Sequence, residues 1–308
     1  MTPFKVVGIG EVLWDLLPTG PQLGGAPANF AYHAHALGAQ AAVISRVGRE
    51  RYGRDVLARF RKMGLPEETI QVDDDVPTGT VMVTLAENGV PQFNVHENVA
   101  WDRLVVTAAA LEAVRSAQAV CFGSLAQRNP ISRATIQRLV AAARAGALRV
   151  FDVNLRQHYY SRKVIEESLA LANVVKVNET ELARLAEMLG LTGDPRAQLS
   201  QLARHHRLRL VACTRGEHGS LLCAAGRSSD HPGVPAKVVD TVGAGDAFTA
   251  AMTLGLLAGW DLDEVNRRAN EVAAGVASRA GATPALPDRL RAPFRTRARP
   301  GRATTGNR

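Results

Sequence analysis

Asp240-Thr-Val-Gly-Ala-Gly-Asp-Ala-Phe248 decides the reading of this chain. Two glycines flank an alanine, a carboxylate follows, and Ala247 to Leu257 is an apolar run of helical character. Gly243 and Gly245 admit backbone torsions closed to other residues, so the stretch reads as a loop turning tightly into a helix N-terminus. The first-turn N–H groups there have no intrahelical acceptors and the helix dipole is positive. Anions, phosphate above all, bind at such places. A carboxylate beside a phosphate site repels its ligand and therefore needs a use. Asp246 is either the proton acceptor for a hydroxyl attacking the phosphate or an ordinary first-turn acid of a helix.

Working outward, a second glycine-rich stretch lies near the N-terminus. Gly24-Gly-Ala-Pro-Ala-Asn29 opens a helix running to Leu37, with Pro27 suited to its first turn, and Ser45-Arg-Val-Gly48 follows on a strand. Two commoner phosphate cradles are absent. Gly8 and Gly10 follow the strand Lys5–Ile9, but Leu13 stands where a dinucleotide-binding fingerprint needs glycine. None of the five lysines is preceded by glycine, which excludes a Walker A loop.

The paired stretches resemble the two signatures of the PfkB/ribokinase family of sugar and nucleoside kinases, in the expected order and over most of residues 4–287. The N-terminal half is most similar to bacterial fructokinases. The resemblance implies a ribokinase-like α/β fold, with a mostly parallel central sheet, helices on both faces and a small β-sheet lid. It implies ATP-dependent phosphorylation of a sugar's primary hydroxyl, fructose to fructose 6-phosphate first, with ribose, 2-keto-3-deoxygluconate or a nucleoside as alternatives. A non-catalytic sugar-binding regulator is the reading from another class; intact Asp246, Gly243, Gly245 and Glu181 weigh against it.

Carried over by position, the family's roles make Asp246 the base and residues Gly243, Ala244 and Gly245 the backbone anion hole. Asp15, Gly25, Asn29 and Arg156 become sugar contacts. Asn178, Thr214, Gly216 and Asn270 become ATP contacts. Asn178-x-x-Glu181 resembles the motif that organises Mg2+ through water, since a hard cation that keeps its waters needs few carboxylates. Asp240 becomes a candidate for a monovalent cation such as K+. The residues allow plainer readings too. Asn178 and Glu181 suit a helix N-cap and first turn, Arg156 could pair with a nearby acid, and Asp15 could cap a turn. His33 and His35, two apart on one helix, read as packing or surface residues.

The rest of the chain supports the fold expectation. From Ala108 helices and strands alternate: helix 108–117, strand 119–122, helix 130–145, strand 148–153, helix 163–172, strand 174–177, helix 179–189 and strand 208–213. Such alternation argues for a parallel sheet covered on both faces, with ligands beyond the C-terminal strand ends. Thr78–Leu85 and Pro91–His96 are β-like and joined by Glu87-Asn-Gly89, a hairpin signal. They interrupt the alternation. With about 12–24 they make the expected lid, which spans about 78–100 at its second segment. His96 follows it, as a sugar contact or a support of the lid.

Composition bounds the function. With 308 residues, 46% apolar and 21% charged, the chain suits one large α/β domain, expected over 1–288. No apolar run reaches the roughly 18–20 residues that span a bilayer, and the N-terminus lacks the pattern of a signal peptide. Cys121, Cys213 and Cys223 lie apart in apolar stretches, as reduced buried thiols do, so a cytoplasmic setting without membrane is expected. Of the net charge of +8, +7 sits in residues 289–308, which hold seven arginines and no acid. That basic tail, rich in polar residues with Pro and Gly, reads as disordered. It shows no basic-aromatic interleaving for nucleic acid. Pairing of exposed lid edges offers a route to a homodimer.

Overall fold

The computed structural model describes residues 2–85, 91–224 and 226–295. In chain order its first half has β1 (Lys5–Ile9), β2 (Leu13–Leu17), β3 (Gly20–Gly24), α1 (Ala26–Ala36), β4 (Gln40–Gly48), α2 (Arg51–Met63), β5 (Ile70–Asp73), β6 (Gly79–Leu85), β7 (Pro91–Val95), α3 (Ala108–Ser116), β8 (Ala119–Phe122) and α4 (Pro130–Ala141). The second half has β9 (Leu148–Asp152), α5 (Arg162–Leu171), β10 (Val174–Asn178), α6 (Glu179–Leu189), α7 (Pro195–His205), β11 (Leu210–Thr214), β12 (Ser220–Ala224), β13 (Arg227–His231), α8 (Ala244–Ala258), α9 (Leu262–Ala277) and α10 (Asp288–Arg295).

One nine-stranded sheet runs in the order β13-β12-β11-β10-β9-β8-β1-β4-β5. It is parallel from β11 to β5, and β12 and β13 are antiparallel additions. Successive strand residues point to opposite faces, and each face has its own core. Val6 of β1 belongs to the layer with Phe30, Phe248 and Val272, under α1, α8 and α9. Val7 and Ile9 belong to the opposite layer with Leu139, Ile165 and Leu185, under α4, α5 and α6. Both layers are closed by residues 0–3% exposed, as parallel strands buried on two sides require.

A separate four-stranded sheet, β3-β2-β6-β7, comes from the two segments that the sequence points to. The Glu87-Asn-Gly89 signal lies outside the described residues, although β6 and β7 do pair antiparallel. Past Val95 the chain leaves this sheet. Trp101 is fully buried, with the Arg128 guanidinium 4.0 Å above its ring. That cation also forks onto Asp102 with two 2.8 Å bonds and stacks 4.7 Å from Tyr159. The residues near 100 thus anchor to the main body, and the small sheet ends near 95.

Other boundaries shift. α8 begins at Ala244, so Gly245 and Asp246 already lie in the helix. β5, α7 and the β12–β13 hairpin lie outside the sequence reading. α7 has legible signals, an Asp194 cap and Pro195 in the first turn, whereas the polar strand Arg-Ser-Ser-Asp-His of β13 reads as loop. The basic tail expected from Arg289 begins later. Asp288–Arg295 is helical, because Leu290 buries against Gly275, where an added Cβ would lie 2.3 Å from its Cδ1. Phe294 also packs 5.0 Å from Trp260. Residues 296–308 lie outside the described structure.

Candidate active site

The two glycine-rich stretches meet. α1 and α8 pack side by side on one face of the sheet, and Asn29 Nδ2 donates to Asp246 Oδ2 at 2.8 Å. Each helix start is held by a glycine that admits no substitute. Gly243 has φ 78°, and a Cβ on it would lie 2.2 Å from the carbonyl oxygen of Ala282. Gly25 has φ 109°, and its Cβ would lie 2.4 Å from the carbonyl oxygen of Glu11. The buried His33 locks the same corner by donating from Nε2 to Ala282 O at 2.9 Å. Burial lowers its pKa to about 4, so it is a neutral packing residue.

α8 has no side-chain cap. Ala244 N–H donates to Thr241 O at 3.2 Å, so among the expected anion-hole donors it has a partner within the chain. The N–H groups of Gly243, Gly245 and Asp246 have no acceptor among the described residues. The first turn of α8 therefore presents open donors beside a carboxylate. Burial first, and the neighbouring Asp152 after it, raise the Asp246 pKa to about 6. The bond from Asn29 and the charges of Lys176 and Arg156 pull the other way.

Beneath this turn lies a cluster that the sequence reading missed. Lys176 Nζ is 3.1 Å from Asp152 Oδ1 and 3.2 Å from the point where a Cβ on Gly245 would sit. Thr249 Oγ1 donates to Asp152 Oδ2 at 2.7 Å. Burial disfavours the Lys176 ammonium, but Asp152, Glu181 and Asp246 outweigh it and raise its pKa. The available signal was a lysine in the otherwise apolar strand Val-Val-Lys-Val. Among the described residues no three His, Cys, Asp or Glu side chains are grouped to enclose a metal ion.

Asn178 and Glu181 form a reciprocal capping box at the head of α6. Asn178 Oδ1 accepts from Glu181 N–H and Glu181 Oε2 accepts from Asn178 N–H, both at 2.8 Å. Glu181 Oε1 also accepts from Leu155 N–H at 3.1 Å, tying α6 to the loop after β9. Burial raises the Glu181 pKa, against the opposing pull of Lys176.

Asp15 stands over Gly24, where an added Cβ would lie 2.5 Å from Asp15 Oδ2. Burial raises its pKa to about 6, partly offset by Arg156. Among the described residues the exposed Arg156 guanidinium bonds its neighbour's carbonyl, Leu155 O, at 3.2 Å. Its charge acts on Asp15, Asp246 and Glu11 alike, so Asp15 and Asp246 share one mouth, with Glu11 buried near it. His96 is bonded through Nδ1 to Thr80 Oγ1 at 2.5 Å.

The remaining candidates gather along β11 and β12. Thr214 is the register partner of Ser220, and Asn270 Nδ2 donates to Ser220 Oγ at 2.7 Å and to Asn266 O at 2.9 Å. The Asn270 amide is thus spent inside the fold. Gly216, at φ 56°, faces open space. Asp240 braces two loops, accepting from Val242 N–H at 3.0 Å and Gly281 N–H at 2.9 Å.

Comparison with known proteins agrees with this geometry. The model of the pfkB family carbohydrate kinases matches residues 20–289. A sugar kinase of Pyrococcus horikoshii is 32% identical over 90% of this chain and 91% of its own. Its structure in complex with ATP aligns with TM-score 0.79 over 92% of this chain and 95% of that one. Fructokinase-2 of Solanum lycopersicum is 30% identical over 92% of this chain and 93% of its own. The Vibrio cholerae fructokinase, solved in a fructose-, ADP- and calcium-bound form, aligns with TM-score 0.79 at 27% identity over 94% of this chain and 98% of that one. No helix among the described residues is long and apolar enough to cross a membrane. Matching along nearly its whole length, with both glycine-rich helix starts joined at Asp246, this chain belongs to the PfkB family of carbohydrate kinases.

Proposed function

We propose that the protein transfers the γ-phosphoryl group of ATP to the primary hydroxyl of a sugar, with fructose the leading substrate. The observation that carries this reading is Asp246, held by Asn29 at the head of an uncapped helix whose donors are open. The sugar oxygen forms a bond to phosphorus, the bond to the bridging oxygen breaks, and ADP leaves. Asp246 takes the hydroxyl proton. The transition state is loose, so the base gains most by aligning the hydroxyl and accepting its proton late. The N–H groups of Gly243, Gly245 and Asp246 hold the charge on the transferring group. Asp15, Gly25, Asn29 and Arg156 hold the sugar, and the small sheet covers it and keeps water out.

Nucleotide contacts fall to Asn178, Thr214 and Gly216, with Asn270 acting from behind through Ser220. Magnesium supplies charge neutralisation on the phosphates. Three carboxylates, Asp152, Glu181 and Asp246, against the one ammonium of Lys176 leave the negative balance that a hydrated dication fits. Glu181 and Asn178 would meet its water shell.

Fructose is favoured by the tomato and Vibrio fructokinase relatives. One observation favours a second substrate. Among the described residues Arg156 bonds no carboxylate, and a cation at the mouth suits an acidic sugar such as 2-keto-3-deoxygluconate. The test is ADP release from MgATP over fructose, glucose, ribose, 2-keto-3-deoxygluconate and adenosine, with Asp246→Asn alongside. Fructose-dependent turnover lost in the variant is the expected result. Turnover on the acidic sugar alone moves the substrate and keeps the chemistry. Sugar binding by calorimetry without any turnover would replace the kinase reading with that of a sugar-binding regulator.

A further inference from the structure

Glu11 lies between β1 and β2, outside both glycine-rich stretches, and is 2% exposed. Helix α1 needs something from it. Gly25 at the N-cap offers no side chain, Pro27 in the first turn carries no N–H, and the first turn holds no acid. Glu11 supplies the missing acceptor from upstream, taking the Ala26 N–H on Oε1 at 3.3 Å and setting a carboxyl at the positive end of the helix. Its own carbonyl occupies the place where a Cβ on Gly25 would go. Glu11 thereby seats both Gly25 and the turn that carries Asn29, the residue that grips Asp246.

The second oxygen, Oε2, is buried and has no hydrogen-bond partner from another residue among the described residues, and Glu11's own N–H only partly offsets the effect of burial on the carboxyl. A capping carboxylate serves its helix with one oxygen satisfied and the other in water. A sealed, unpartnered oxygen instead disfavours the charged form. Among the described residues, charged and titratable groups that act on this carboxyl, or feel its charge, include Arg156 after β9, Asp246 on α8 and the Cys121 thiol on β8.

We propose that Glu11 is a positioning residue of the reaction centre: it seats helix α1, holds Asn29 and hence Asp246 in place, and its charge acts on Asp246 directly. This rests on Asp246 being the proton acceptor. Burial raises Glu11 to about 7 and Asp246 to about 6, the negative charge of Asp246 adding to the rise at Glu11. The pair loses its protons in two steps. The first prepares the base. The second places a further negative charge beside it and strengthens its hold on the proton it receives, so turnover rises again near pH 7.

The experiment is kcat/KM for fructose with saturating MgATP from about pH 5.5 to 8.5, on the wild type, Glu11→Gln and Glu11→Ala. If the panel selects another sugar, that sugar is used. Gln keeps an acceptor for Ala26 N–H; its expected profile has the step near 6 and lacks the one near 7, with sugar KM within about twofold of wild type. Ala is expected to raise sugar KM about tenfold as α1 loosens. A Gln profile that overlays the wild type, or a wild type with no step near 7, overturns the proposal. If Ala does not fold, the Gln profile decides alone. Asp246→Asn separates the layers. An active Asp246→Asn removes the base and this inference together, whereas an inactive one with an unaltered Gln profile removes only the inference.

Discussion

The helices α6 and α8 both begin beside the candidate site, and they begin in opposite ways. α6 closes on itself. Asn178 and Glu181 exchange bonds at 2.8 Å, and Glu181 reaches across to Leu155 N–H as well. α8 begins on Gly243 in the left-handed region with no side-chain cap, and its first-turn carboxylate points to Asn29 instead of back to its own backbone. A cap is worth about 1 kcal/mol. α6 takes that stabilisation; α8 forgoes it and keeps its donors for something outside the chain. The lesson is that a helix start optimised for stability and one left open for an anion can be told apart by where the first-turn acid points.

Replacing that acid should have the largest effect. Asp246→Asn is expected to lower kcat by about 10²–10⁴-fold while leaving sugar binding in place, measured by steady-state kinetics and calorimetry. The same change should raise Tm at pH 8. A carboxyl whose folded pKa is raised keeps a proton that the unfolded chain has already lost between about 4 and 6. Stability therefore declines as pH rises through that window, and the amide escapes the decline. Activity has the opposite sign: kcat/KM should fall as pH drops below about 6, where Asp246 becomes protonated. A variant that is both active and no more stable would erase the contrast between the helices.

Gly243→Ala comes next. It forces a side chain into the left-handed region and against Ala282 O, at a cost of about 1–3 kcal/mol, and should reduce turnover more than tenfold by displacing the donors. Glu181→Ala should act mainly on stability. It strands the N–H groups of Asn178 and Leu155, at about 1–3 kcal/mol by denaturant unfolding, with an increased Mg2+ requirement as the activity readout. The smallest effect belongs to a third helix start. Thr107 caps α3 through Ala110 N–H at 3.1 Å, away from the mouth, and Thr107→Ala should cost about 1 kcal/mol with turnover unchanged.

Asn29 and Asp246 were legible as separate candidates because both sit in local signatures, where glycine, proline and a polar residue stand at fixed offsets; that they bond to each other is what the fold adds. The parallel sheet was legible from the alternation after Ala108 for a similar reason. What stayed hidden depends on distant neighbours. Lys176 is one residue in an apolar strand, and only the placing of Asp152 on β9 and Gly245 on α8 turns it into part of the site. Glu11 reads as a loop acid until α1 arrives without a cap. β13 is polar because its outer side is exposed at the sheet edge, so no apolar period marks it. Asn270 matches a nucleotide contact by position, yet its donors turn inward, which position alone does not reveal.

The bond between Asn29 and Asp246 spans 217 positions of chain, and β1 sits mid-sheet between β4 and β8. A ribosome making this protein releases α1, with Asn29, early and α8, with Asp246, among the last segments. Until α8 is out, the nascent chain carries only half of the proposed reaction centre, however well its early strands have paired. Contacts of such separation form slowly, because loop closure must be met before they reward it. On the proposed reading, catalytic competence is therefore a late event in the life of each molecule, and sugar-dependent ADP release gained during refolding would serve as a reporter for completion of the whole sheet.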